Sequence, residues 1–167
     1  MNNASTVAEP ATILRSTPAK PVYARSESLP IKARSAAVPA ARRTIAHVLR
    51  AWGLQDSEAM ASVELVVSEL VTNALRHAGG PDRGIMVLLR TRADGLLRLG
   101  VVDNDPGIPT VRCASPSAES GRGLTIAETL TAERGGAITV ERHEDGGKTV
   151  WADFPAVLAT TDTNHTH

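Results

Sequence analysis

The amino-acid sequence predicts a fold of class α+β, and three observations support it. Apolar residues recur at steps of three and four in two long stretches, which is the period of amphipathic helices. Two pairs of apolar or alternating stretches are each joined by a short turn that contains Asp and Gly, which indicates β-hairpins. A further helical stretch opens directly from a glycine-rich turn between the two hairpins.

Length, composition and charge set limits on function. The 167 residues fit one domain with tails, and a hydrophobic content of 42% allows a core built from Val, Leu, Ile and Ala. Eighteen basic and eighteen acidic side chains cancel, so the net charge gives no argument for a nucleic-acid partner. No apolar run would span a bilayer, no signal peptide is evident, and Cys113 has no partner for an internal disulfide. We therefore expect a cytoplasmic protein without a membrane partner.

The chain begins with residues 1–28, whose Ala, Ser, Thr, Pro and basic residues show no sustained period and predict a disordered tail. Leu29 to Ala33 is expected to form a short edge strand, because Pro30 is tolerated there. A first helix follows, with Pro39 in its first turn and Gly53 at its end. Its core-facing stripe is Val38, Ala41, Ile45, Val48, Leu49 and Trp52.

The second helix carries both a core stripe and a chemical face. Asp56 or Ser57 is expected to cap it, and Gly79, Gly80 and Pro81 to end it. Glu69 and Asn73 lie four residues apart, so their side chains are neighbours. A carboxylate beside an amide oxygen suits a hydroxyl proton or Mg²⁺, but this pair also occurs on plain solvated helix faces. The core stripe comprises Met60, Val63, Val67, Leu70, Val71 and Ala74.

The first hairpin follows the second helix. Its strands read IMVLLRT and LLRLGVVD, and the second ends at Asp103, where the sequence DNDPGIP turns the chain out of the sheet. A carboxylate held there can accept a hydrogen bond from a ligand amino group, and Gly107 would let a planar ring approach the backbone. An Asx turn that simply closes the strand is the alternative.

A glycine-rich turn then opens the third helix. Gly121 and Gly123 can point backbone N–H groups at an anion, although glycines also serve plain tight turns. The preceding residues, 110–120, predict a mobile loop. The chain closes with strands Ala137 to Arg142 and Lys148 to Phe154. One face of the last strand is expected to pack inward and the other, with Trp151, to be exposed or to meet a partner.

The order of these motifs resembles the GHKL superfamily of ATP-binding domains, which includes the histidine kinases. The matching motifs are E-x-x-x-N on a helix, a strand ending in DNDPG, G-x-G-L at a helix start and a closing GGKTVW strand. The phrases SELVTNALRHA and GKTVWADF are similar to anti-sigma factor serine/threonine kinases of the RsbW type, in their actinobacterial form. The resemblance implies an ATP-binding domain at residues 29–155 between tails at 1–28 and 156–167.

The resemblance also implies a fold and a set of roles. The fold would be a two-layer α/β sandwich of the Bergerat type, with a mixed, mostly antiparallel sheet and helices on one face. Asn73 would coordinate Mg²⁺, Glu69 would act as general base, and Asp103 would bind the adenine amino group. Gly107 would line the adenine pocket, and the residues meeting the phosphates would be Gly121, Arg122 and Gly123.

The implied function is an ATP- and Mg²⁺-binding regulator that phosphorylates a serine or threonine of an anti-sigma-factor antagonist, sequesters a sigma factor, or does both; a homodimer is compatible with it. Two departures bear on this function. Asp105 replaces the usual glycine, and Glu119 replaces the basic residue of active relatives. The alternatives are a non-catalytic module whose nucleotide gates a protein interaction, and an interaction domain without nucleotide.

Overall fold

The computed structural model describes residues 22–32, 36–77, 84–103, 122–144, 146–155 and 157–158. These residues form five strands and three helices: β1 (Arg25–Ile31), α1 (Ala37–Ala51), α2 (Ser57–His77), β2 (Ile85–Thr91), β3 (Leu97–Asp103), α3 (Arg122–Glu133), β4 (Ile138–Arg142) and β5 (Lys148–Phe154). The strands make one sheet in the order β1-β2-β3-β5-β4. The helices cover one face of it, and the predicted α+β sandwich is confirmed.

All four strand pairings in the described part of the chain are antiparallel. The expected mixed sheet is therefore corrected to an antiparallel one in these residues. The reason is the position of β4: the chain crosses over through α3 to the sheet edge, and the β4–β5 hairpin then brings β5 back beside β3 in the antiparallel direction.

Helix α1 follows its predicted stripe. Ala41, Ile45 and Leu49 are fully buried. Pro39 lies in the first turn, where a missing N–H costs no helical hydrogen bond. Beyond Trp52 the chain leaves the helix at Gly53, whose N–H donates to the Arg50 carbonyl at 3.0 Å.

Helix α2 begins at the predicted cap. The Asp56 carboxylate accepts the backbone N–H groups of Glu58 at 2.9 Å and Ala59 at 3.1 Å. These hydrogen bonds, chiefly that from Ala59, lower the pKa of Asp56. Arg134, just beyond α3, lies 3.4 Å from the same carboxylate, so it ties the end of α3 to the start of α2. The predicted end at Gly79–Pro81 lies outside the described residues.

The core lies between the helices and one face of the sheet. The predicted α2 stripe is buried throughout. The strands contribute every second residue, as their period of two requires. The buried hydrophobic strand residues of this face are Ile31, Ile85, Val87, Leu89, Leu97, Leu99, Val101, Val150, Ala152 and Phe154.

Both expected tail boundaries fall inside the folded part of the chain. Residues 25–28 belong to β1 and pair with β2, although we expected a tail to residue 28 and a strand from Leu29. Ser26, Glu27 and Ser28 are exposed on this edge strand, so it lacks an apolar period. At the other end, Leu158 is buried and donates its N–H to the Gly95 carbonyl at 3.3 Å, which corrects the tail start at 156.

On the face of the sheet away from the helices, Trp151 is covered by other side chains of this chain. Trp151 is 2% exposed, although its face was expected to be exposed or to meet a partner. Its ring lies against Gly100, and its indole N–H donates to Glu141 at 2.7 Å. The guanidinium carbons of Arg90 and Arg98 lie 4.9 and 4.7 Å from the centroid of the ring. Cations therefore cover the aromatic ring.

Candidate functional site

The site begins on α2 with Glu69 and Asn73, which are both half-buried one turn apart and lie off the apolar stripe. The Glu69 carboxylate lies against Gly123 in the first turn of α3. A Cβ built on Gly123 would overlap the Glu69 Oε2 atom. The absence of a side chain at position 123 therefore lets the carboxylate reach the start of α3.

The beginning of α3 is suited to negative charge. Helix N-termini carry unpaired backbone N–H groups and the positive end of the helix dipole. Leu124 and Ala127 are buried and hold this end of α3 in the core. Within the described part of the chain, no hydrogen bond or ion pair engages the Glu69 carboxylate.

Asp103 lies at the end of β3, as predicted, and is 2% exposed. The Nζ atom of Lys148 lies 3.0 Å from its Oδ2 atom. The two residues are directly opposite each other in the β3–β5 pairing, on the face that Val101 and Val150 share beneath the helices. A buried carboxylate needs such a partner, because burying an unpaired charge costs several kcal/mol.

Lys148 is the site residue that sequence reasoning did not identify. One signal was available, because GGKTVWADF places a lysine at the first position of an otherwise largely apolar strand. Its position opposite Asp103 follows from the β3–β5 pairing. That pairing joins strands from two different hairpins, so no local turn indicates its register.

The structure brings Glu69 to Gly123 and Asp103 to Lys148. Gly107 and Gly121, the side chain of Arg122 and the two departures at Asp105 and Glu119 lie outside the described residues. Among the residues described, no group of three or more His, Cys, Asp and Glu could hold a metal ion. The oxygen donors of Glu69 and Asn73 still fit Mg²⁺, which usually takes only one or two protein carboxylates and completes its shell with water and phosphate oxygens.

Residues 31–154 match the family described as the histidine kinase-like ATPase domain. The chain belongs to this family. It is also 33% identical over 132 residues to an anti-sigma F factor of Geobacillus stearothermophilus, a match that covers 74% of this chain and 87% of the relative. The domain is therefore an ATP-binding histidine kinase-like domain of the RsbW type.

Two further comparisons agree with this family. The chain is 34% identical over 98 residues to the signal transduction histidine-protein kinase AfsQ2 of Streptomyces coelicolor; the match covers 51% of this chain and only 18% of that kinase. The crystal structure of the RsbU and RsbW domains of Rv1364c from Mycobacterium tuberculosis has the same fold. The TM-score of this match is 0.58 at 22% sequence identity. The match covers 78% of this chain and 32% of that chain.

One finding concerns membranes. None of the helices in the described ranges combines the length and the apolar character that crossing a bilayer requires.

Proposed function

We propose that this chain is an anti-sigma regulator that uses ATP and Mg²⁺ to phosphorylate a serine or threonine of an antagonist protein. The observation that carries this proposal is the contact between the Glu69 carboxylate and Gly123 in the first turn of α3. This contact supports a single site in which Glu69 accepts a proton and the start of α3 binds phosphate.

Glu69 is the general base in this proposal. It takes the proton of the serine or threonine hydroxyl as the hydroxyl oxygen forms its bond to the γ-phosphorus of ATP. The bond between that phosphorus and the bridging oxygen of ADP breaks in the same step, and ADP leaves. A carboxylate without a described ion-pair partner is suited to this task.

The other residues bind and orient the substrates. Asn73 supplies an amide oxygen to Mg²⁺, which neutralises phosphate charge when bound. Asp103 accepts a hydrogen bond from the adenine amino group, and Gly123 leaves room at the helix start. The remaining binding residues of the proposal are Gly107, Gly121 and Arg122.

The partners are proposed from the relatives. The relative with 87% coverage is an anti-sigma F factor, which supports a sigma factor as the sequestered partner and an antagonist as the phosphorylated one. These partners would place the protein in the cytoplasm, and a homodimer remains compatible with the proposal.

The first test is transfer of labelled γ-phosphate to a candidate antagonist, run beside equilibrium binding of ATP. Glu69→Gln should keep nucleotide affinity and lower transfer by roughly 100-fold or more. Asn73→Ala should instead weaken ATP binding when Mg²⁺ is present, because it removes an oxygen ligand. Glu58→Gln, on an exposed side chain of the same helix, is the matched control and should change neither quantity.

The contact that carries the proposal is tested by Gly123→Ala. The new methyl group should displace the Glu69 carboxylate and lower transfer, with the fold intact because the displaced group is the end of a flexible side chain. Transfer at the wild-type rate by Glu69→Gln would remove Glu69 from the mechanism. ATP binding without labelling of any antagonist would favour the non-catalytic module, with Glu119 as the cause.

A further inference from the structure

The buried pair of Lys148 and Asp103 has no role in the transfer step described above. The two residues are 3% and 2% exposed, and their charged atoms lie 3.0 Å apart. A buried ion pair is seldom the best way to stabilise a fold, since apolar side chains of similar volume often serve as well or better. Its position at the end of β3, beneath the helices, therefore calls for an explanation other than stability.

The backbone fixes how the two side chains meet. Asp103 is the last residue of β3, Lys148 is the first of β5, and the two are direct cross-strand partners. The ammonium group thus holds the carboxylate from one side. A carboxylate offers about four acceptor sites on its two oxygens, so a carboxylate that meets an ammonium group can still accept a ligand N–H. Such a charged acceptor binds an N–H roughly twice as strongly as a neutral one.

We propose that Lys148 is the positioning residue of base recognition. It keeps Asp103 charged and fixed in orientation, so that Asp103 accepts the hydrogen bond of the exocyclic amino group of adenine. This inference rests on the proposed function, and it assigns how the base of ATP is selected. Lys148 acts through Asp103 and does not touch the reacting atoms.

The experiment compares two nucleotides by calorimetry: ATP and purine riboside triphosphate, which lacks only the 6-amino group. The wild-type protein should prefer ATP by about 10-fold or more, the scale of a hydrogen bond to a charged acceptor. In Lys148→Met this preference should fall to within about threefold, because Asp103 loses the charge that fixes it. The affinity for purine riboside triphosphate should stay the same. A general structural defect would instead weaken the binding of both nucleotides alike.

Arg98→Met is the matched control, since Arg98 faces Asp153 across the same two strands on the opposite side of the sheet, and it should keep the wild-type preference. Lys148→Arg covers the case in which Lys148→Met does not fold. It retains the positive charge, but its planar guanidinium can engage both carboxylate oxygens, so the preference for ATP should again fall.

The outcomes separate this inference from the proposed function. Wild-type preference for ATP in a folded Lys148→Met or Lys148→Arg protein would overturn the role of Lys148 and leave the proposed function standing. A wild-type protein that binds both nucleotides equally would overturn the role of Asp103, and with it that of Lys148. A wild-type protein that binds neither nucleotide would overturn the proposed function itself.

Discussion

Two acid–base pairs join the same two strands, β3 and β5, on opposite faces of the sheet. Asp103 faces Lys148 beneath the helices, and Arg98 faces Asp153 on the other face; each pair is a direct cross-strand pair. Their charged atoms lie at almost the same separation, 3.0 and 3.1 Å. Their exposure differs: the side chains of the first pair are at most 4% exposed, and those of the second 26% and 27%. We therefore expect burial, and not distance, to decide how much the loss of each pair changes the free energy of unfolding.

In the second pair, Arg98 also contacts residues other than Asp153. Arg98 also lies over the Trp151 ring and donates to the Tyr23 hydroxyl at 3.4 Å. Burial raises the pKa of Asp153, and the positive charges of Arg98 and Arg92 lower it only in part. The Arg98 Nε and Asp153 Oδ1 atoms themselves are buried and lie 3.1 Å apart, although their side chains are partly exposed. The side chains of this pair are partly exposed, whereas water has little access to the side chains of the first pair.

The sharpest test of this comparison removes one cation from each pair. Lys148→Met should lower the free energy of unfolding by about 3–5 kcal/mol, because it leaves a buried carboxylate without its counter-charge. Arg98→Met should cost about 1 kcal/mol or less, since its partner is partly solvated. Urea denaturation without nucleotide measures both.

A double variant shows whether the charge itself is the cause. Lys148→Met combined with Asp103→Leu carries no buried charge, so it should recover most of the stability that Lys148→Met alone loses. Equal losses for Lys148→Met and Arg98→Met would contradict the difference in burial that separates the two pairs.

The sequence predicted the elements that depend on local patterns. The period of three and four placed α1 and α2, and the turn around Asp94 and Gly95 placed the β2–β3 hairpin, where the Arg92 N–H donates to the Leu96 carbonyl at 2.9 Å. It placed an edge strand from Leu29 but missed residues 25–28 of β1, because this exposed part of the strand shows no apolar alternation and is held by main-chain hydrogen bonds to β2.

Single residues of the candidate site carried signals in the sequence, but their contacts did not. Glu69, Asp103 and Gly123 each carried a local signal, a helix face, a strand end and a glycine turn. The contact of Glu69 with Gly123 depends on how α2 and α3 pack, and that of Asp103 with Lys148 on a nonlocal strand pairing. Local period and turn chemistry contain neither piece of information, because both arise from tertiary packing.

An intermediate effect is expected at Gly100, on the face of the sheet away from the helices. A Cβ built on Gly100 would overlap the ring of Trp151, its cross-strand partner. Gly100→Ala should therefore lower the free energy of unfolding by about 1–3 kcal/mol, the usual cost of overpacking. The same substitution in a Trp151→Leu background should cost clearly less, because the rigid ring is gone. An equal cost in both backgrounds would point to the backbone at position 100 instead of the ring.

The smallest effect concerns the pH dependence that Asp153 contributes. Because burial raises the pKa of Asp153 above its ordinary value of 3.8, the folded state binds more protons than the unfolded state over the interval between the two pKa values. The contribution of Asp153 to stability should thus fall as the pH rises through that interval.

Asp153→Asn removes this titration and nearly preserves the side-chain volume. From pH 3.8 upward, wild type should lose stability relative to the variant. For a side chain that is 27% exposed, we expect a total change of about 1 kcal/mol or less. Urea denaturation at a series of pH values measures the difference. If wild type instead gained stability relative to Asp153→Asn as the pH rose, the attraction of Arg98 would outweigh the effect of burial, and the two β3–β5 pairs would be more alike than their exposure indicates.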